Sequence, residues 1–164
     1  MNKLIVFLFM GIFFGCTQQI PTAQPSSSAI DSLSVQLKDM KEKYRPGLGE
    51  IMGGIQMHHA KLYFAGINSN WELADYEIKE IKERLAEAVE IETNRPEVKD
   101  IPMMYPAIDN IANAIKEQNI QKFKTCFQTL TNSCNNCHQA INFQFNVITI
   151  PTAPPVSNQD FKVK

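Results

Sequence analysis

The sequence predicts an all-α protein: an antiparallel four-helix bundle with an extended C-terminal tail. Four segments carry apolar residues at intervals of three and four, the spacing that lines one face of an α-helix. Short breaks that contain glycine, proline or asparagine separate them, and no segment before the tail alternates apolar and polar residues as a half-buried strand does. Amphipathic helices with such connections pack most simply with neighbours antiparallel around a shared core.

The N-terminus has the pattern of an export signal. Lys3 precedes an apolar run over residues 4–15, which is too short to cross a bilayer. Cys16 follows Gly15 directly, and this arrangement resembles the lipobox of bacterial lipoproteins. We therefore expect a signal peptide over residues 1–15, lipidation at Cys16 and a place in the bacterial periplasm, anchored to a membrane. An uncleaved N-terminal anchor, or secretion with Cys16 free, is the alternative.

Residues 16–42 are expected to form a lipid-anchored flexible linker that precedes the helical domain over residues 43–164. Residues 17–30 are rich in serine, glutamine and proline and lack an apolar period. Leu33, Leu37 and Met40 have helical spacing, which allows a short helix over residues 31–43 before Pro46 interrupts it.

The first two bundle helices follow this linker. The first is predicted from Leu48 to near Gly66. Ser69 and Glu72 form a capping-box pattern, so the second is predicted over residues 70–92.

The last two helices follow a predicted crossing loop over residues 93–104. Pro106 suits the first turn of a short third helix, and Asn119 suits the N-cap of the fourth. The tail from Phe143 to the C-terminus contains three prolines that exclude a further helix, and it is expected to lie extended over the bundle.

The end of the fourth predicted helix carries the chemistry. Cys134, Cys137 and His138 form a CxxCH sequence, the attachment signal of haem c, in which two thiols bond to the haem and the histidine reaches its iron. We expect one covalent haem c. The alternatives are a disulfide, which gives His138 no role, and a zinc site, which needs a fourth ligand. Cys126 is expected to be a small buried hydrophobic residue without a function.

The sixth iron ligand has two candidates on the first helix. Up-and-down packing brings the end of the fourth helix beside the start of the first, where Met52 is the nearest soft ligand. His59 lies about 10 Å further along the same apolar stripe. Geometry favours Met52 and chemistry favours His59, so both remain open.

A CxxCH at the end of four predicted helices resembles the cytochrome c prime class of bundle cytochromes. The stretch from Lys43 to Arg45, followed by Met52, resembles the opening of their first helix, where an arginine lies near the haem propionates. The resemblance implies that role for Arg45. Gly49 stands where these proteins shield an open iron face, and no basic residue follows His138. Five-coordinate gas binding is therefore not carried over directly.

These observations predict an exported monohaem c-type cytochrome that acts in single-electron transfer. The alternative is a five-coordinate haem protein that binds nitric oxide or carbon monoxide. No nucleophile–base pair or acidic dyad supports an enzyme, and a net charge of −1 gives no basic field for nucleic acid. The expected partners are redox proteins of the cell envelope and the membrane that holds the anchor; a homodimer is left open.

Overall fold

The computed structural model describes residues 26–163, and this part of the chain is all-α. It contains five α-helices: α1 (Ser27–Tyr44), α2 (Leu48–Ile67), α3 (Trp71–Ile91), α4 (Tyr105–Lys116) and α5 (Ile120–Ala140). A 3₁₀ helix, Pro96–Met104, joins α3 to α4 where a crossing loop was predicted. No β-strand occurs in residues 26–163. None of the helices described is long and apolar enough to cross a membrane.

The chain divides into two units, residues 1–43 and 44–164. Helix α1 makes up the described part of the first unit and buries none of its residues. It starts at Ser27, whereas the predicted helix started at residue 31. Residues 27–30, predicted to be linker, are therefore helical. The predicted signal peptide over residues 1–15 and the lipidation site Cys16 lie outside the described residues.

Helices α2 to α5 form the second unit, and neighbouring helices run antiparallel. Helix α2 packs against α3 and α5, and α4 packs against the same two helices, so the four close a ring. Apolar side chains from every helix fill its centre. The largest that are almost fully buried are Ile51, Leu62, Ile81, Ile108, Ile111, Phe123, Phe127 and Leu130.

Three helices of the second unit end in the same way, with a residue other than glycine in the left-handed region. Ser69, Gln118 and Asn142 have φ of 56°, 52° and 62°. In each case the two residues after the C-cap donate backbone N–H groups to the last turn, for example Ser69 to Gly66 O and Asn70 to Ala65 O. This is the Schellman motif, which turns the chain sharply at the helix end.

The predicted capping box at Ser69 is wrong for this reason. Ser69 completes the end of α2, and the next residue, Asn70, is the N-cap of α3, where its side chain accepts a hydrogen bond from Leu73 N. The predicted cap of the fourth helix is confirmed, since the Asn119 side chain accepts from Gln121 N and Lys122 N. Proline in the first turn of α4 is confirmed as well.

Helices α2 and α5 approach closely where Gly66 meets Phe123. A Cβ atom at Gly66 would overlap the Phe123 ring, which is fully buried. The ring also lies near Trp71 and Phe127, at centroid distances of 6.1 and 5.9 Å. The absence of a side chain at Gly66 therefore sets how closely α5 can lie against α2.

Candidate functional site

A cavity of about 300 Å³ lies between α2, α5, the 3₁₀ helix and the start of the tail. Cys134, Cys137 and His138 line it from α5, and Met52 and His59 line it from α2. Its volume is at the lower end of the range of about 300–1,000 Å³ for small-molecule and cofactor sites. Much of its remaining wall is apolar, with Leu48, Ile55, Leu85, Ile101, Met104 and Ile141.

The end of α5 brings the tail back over the CxxCH sequence. Asn142 adopts the left-handed conformation, and Phe143 N donates to His138 O at 2.7 Å. Asn146 N then donates to Phe143 O at 2.9 Å, which closes a turn. The chain reverses directly after His138, and both Asn146 and Ile148 line the cavity.

The His138 ring has one nitrogen bonded to this returning segment. Its Nδ1 lies 2.6 Å from the backbone oxygen of Asn146. A carbonyl oxygen only accepts, so Nδ1 must carry the proton and donate. In the neutral ring Nε2 then keeps its lone pair, which is the arrangement of a histidine that binds a metal through Nε2 while a carbonyl holds its other nitrogen.

The two thiols of the motif are protonated at neutral pH. Burial, with a smaller contribution from the neighbouring Cys137, raises the pKa of the Cys134 thiol to about 12. Burial, with a smaller contribution from the charge of Asp100, also raises the pKa of Cys137. Thiols in this state are weak nucleophiles, unlike those of a redox-active CxxC sequence. Cys126 is half-buried and is not among the residues that line the cavity.

His59 is buried and its ring is fixed by Thr131. His59 Nε2 lies 2.9 Å from Thr131 Oγ1, and this hydroxyl donates its single proton to Phe127 O. The hydroxyl must therefore accept from His59 Nε2, which carries the proton and has no free lone pair. Burial lowers the pKa of His59 to about 4, so the ring is neutral at physiological pH. Met52 is half-buried on the same stripe.

The cavity wall includes one ion pair, between Arg95 and Glu97. Arg95 Nη2 donates to Glu97 Oε1 at 3.0 Å, while Glu97 Oε2 is buried without a hydrogen-bond partner. Arg45, to which the resemblance assigned the propionates, is not among the lining residues; its Nη1 donates to Ile91 O at 2.9 Å. Sequence reasoning missed Arg95 because it lies in a segment predicted to be a loop.

The other histidine of α2, His58, faces away from this cavity. Its Nδ1 lies 2.7 Å from Oε2 of Glu77, a carboxylate that is almost fully buried against α2. Within residues 26–163, no three His, Cys, Asp or Glu side chains come together as ligands for a metal ion. The ligand set that a tetrahedral zinc site requires is thus not assembled in this part of the chain.

Comparison with known proteins gives no relative for this chain. A scan against the models of known protein families finds no match, and neither does a search of curated proteins or of solved structures.

Proposed function

We propose that this protein is an exported monohaem c-type cytochrome that transfers single electrons. One haem c would be attached through Cys134 and Cys137, with His138 as an iron ligand. The observation that carries the proposal is the state of His138. Its Nδ1 donates to the Asn146 carbonyl at 2.6 Å, so the lone pair of the neutral ring is on Nε2, and the residue lines the same cavity as the two thiols.

The residues of the cavity fit a haem in both chemistry and polarity. The free thiols of Cys134 and Cys137 are available for two thioether bonds, and His138 supplies a ring nitrogen from the same helix. The largely apolar wall suits a flat hydrophobic ring. When bound, the haem iron supplies the one-electron couple. The chain holds and orients it, limits its contact with water and sets its ligands.

Arg95 is proposed as the anchor of a haem propionate. Its guanidinium forms the ion pair with Glu97 on the cavity wall, and nearly half of the Arg95 side chain is exposed to solvent. A carboxylate on the haem would give this arginine a second charged partner with bidentate geometry.

The proposed architecture is the antiparallel four-helix bundle of a cytochrome c prime-like protein. The closed ring of α2 to α5 and the CxxCH at the end of the last helix support it. Residues 1–15 are proposed as a signal peptide and Cys16 as a lipid anchor in the periplasm. Redox proteins of the cell envelope are the proposed partners, and an enzymatic reaction is not proposed.

Met52 is the proposed sixth ligand. His59 lines the same cavity, but its Nε2 donates to Thr131 and cannot bind iron while that bond exists, which leaves Nδ1 as the nitrogen of this ring with a lone pair. The thioether of Met52 is flexible and has no competing hydrogen bond to break. A methionine ligand would raise the reduction potential relative to a second histidine.

A second candidate function is the binding of nitric oxide or carbon monoxide by a five-coordinate iron. The hydrogen bond of His59 Nε2 to Thr131 favours this function. If Met52 also does not reach the iron, the iron would keep an open position for a gas ligand. The two functions differ in spin state and in their response to carbon monoxide.

The experiment is an optical spectrum of protein exported through a host with cytochrome c maturation. Sharp, split bands after dithionite reduction are expected for six-coordinate iron and electron transfer. A broad high-spin spectrum that changes with carbon monoxide would favour the second function. His138→Ala should change the spectrum of any haem retained, whereas Cys126→Ala, the control, should leave it unchanged. An unchanged spectrum in His138→Ala would contradict the ligand assignment.

A further inference from the structure

The side chain of Asn135, inside the CxxCH sequence, makes two hydrogen bonds to one residue of the tail. Its Nδ2 donates to Ile148 O at 2.8 Å, and its Oδ1 accepts from Ile148 N at 2.8 Å. One amide thus satisfies both backbone polar groups of Ile148, as a neighbouring β-strand would. Because this pairing has two points, it fixes both the position and the orientation of the tail backbone at Ile148.

The tail segment held in this way also contacts His138. We define residues 143–148 as the tail strap. Asn146, two residues before Ile148, supplies the carbonyl that accepts from His138 Nδ1. Asn135 and His138 are three residues apart on α5 and therefore project from the same side of the helix. Besides the backbone bond from Phe143 N to His138 O, helix α5 holds the tail strap through two adjacent side chains, Asn135 and His138. Of these two side chains, Asn135 can be changed without altering the histidine.

We infer that Asn135 is a positioning residue for His138, holding the tail strap so that the Asn146 carbonyl fixes the tautomer and orientation of the imidazole. As far as iron is concerned, the inference rests on the proposed function. The hydrogen bonds themselves are properties of the chain. Asn136, the next residue, is exposed and provides a matched control for any change within the motif.

The effect on the iron would come through electron donation by the ring. A hydrogen bond from Nδ1 to a carbonyl increases the basicity of Nε2 and strengthens its bond to the metal. Without Asn135, the Asn146 carbonyl leaves its fixed position and water competes for Nδ1. Weaker donation from His138 stabilises oxidised iron less, so the reduction potential should rise.

The experiment compares Asn135→Ala and Asn136→Ala in the full chain, exported through a host with cytochrome c maturation. The first readout is hydrogen exchange of the Ile148 amide. It should be about tenfold faster or more in Asn135→Ala than in the parent, and unchanged in Asn136→Ala. The second readout is the reduction potential, which should rise only in Asn135→Ala. Both positions are unspecified in CxxCH, so covalent haem should be retained in both variants.

A second variant, Asn135→Asp, keeps an acceptor for Ile148 N and loses the donor to Ile148 O. This variant provides a second measurement if Asn135→Ala is too unstable to study, and its Ile148 amide should exchange at a rate between those of the parent and Asn135→Ala. The potential is compared only for Asn135→Ala, because the added carboxylate would itself lower the potential. The inference is overturned if Ile148 exchanges at the parent rate in Asn135→Ala, or if haem is retained and the potential equals that of Asn136→Ala. Absence of covalent haem in the parent would contradict the proposed function instead, while the exchange comparison would still test the tail strap.

Discussion

Thr131→Val should destabilise the protein by removing the hydrogen bond that fixes His59. Valine has nearly the same shape as threonine, so the perturbation is confined to the hydroxyl. In the variant, the N–H at His59 Nε2 is left buried without a partner, since His59 is only 3% exposed. A buried unsatisfied donor costs about 1–3 kcal/mol, of which the extra apolar methyl of valine recovers a part. A loss of about 1–2 kcal/mol in the free energy of unfolding is expected.

Thr129→Val is the matched control. Thr129 lies on the same helix, is exposed, and its hydroxyl donates to Thr125 O in the same manner as Thr131 donates to Phe127 O. The control therefore removes the bond to the preceding turn without touching His59, and its effect should stay within about 0.5 kcal/mol. The assay is denaturant unfolding of both variants and the parent, with the slope checked for constancy.

The same variant tests the proposal that Thr131 keeps His59 Nε2 from a haem iron. With Thr131 gone, Nε2 no longer has its acceptor, and the ring is released to turn within the cavity. A change in the optical spectrum of haem-loaded Thr131→Val, absent in Thr129→Val, is expected. If Thr131→Val is no less stable than Thr129→Val, the assigned bond and the tautomer derived from it are refuted.

Three further predictions concern packing, capping and thiol chemistry. Gly66→Ala should lower the free energy of unfolding by about 1–2 kcal/mol because its Cβ overlaps Phe123. The control Gly54→Ala, whose Cβ meets only an ordinary contact, should be neutral or stabilising by up to about 1 kcal/mol. Equal melting temperatures of the two variants would contradict this prediction. Asn119→Ala should cost about 1 kcal/mol by removing the cap of α5, and unchanged thermal unfolding would argue against the cap. When haem-loaded protein is treated with an alkylating reagent in denaturant, Cys126 should be modified, and Cys134 and Cys137 should not be. Peptide mapping that finds all three modified would refute the thioether assignment.

Local signals predicted most of the helical structure. The three-and-four spacing located α2 to α5, and Asn119 and Pro106 marked helix starts, because caps and first-turn prolines depend on only a few neighbouring residues. The capping box predicted at Ser69 was wrong because the end of α2 and the start of α3 are adjacent in the chain. The backbone uses Ser69 to end α2, which a pattern that considers only the following helix does not detect.

The same distinction between local and distant signals applies to the candidate site. Cys134, Cys137 and His138 were identified from spacing alone, and the structure brings them into one cavity with Met52 and His59. The remaining contacts were not accessible to sequence reasoning.

Those contacts join residues that are distant in sequence or have no pattern. The bond between His59 and Thr131 spans α2 and α5, and the pairing of Asn135 with Ile148 depends on how the tail reverses. Arg95 gave no signal, since a single arginine before a proline is typical of any loop. A resemblance pointed to Arg45 instead, which the structure bonds to the end of α3.

The most direct test of covalent haem attachment is the intact mass of the protein after export with cytochrome c maturation, measured under denaturing conditions. We expect the chain to carry the added mass of one haem. This mass should be lost when Cys134 and Cys137 are both changed to alanine, and it should be retained in Cys126→Ala. A parent chain without added haem mass would contradict the central claim, as would haem that dissociates on denaturation.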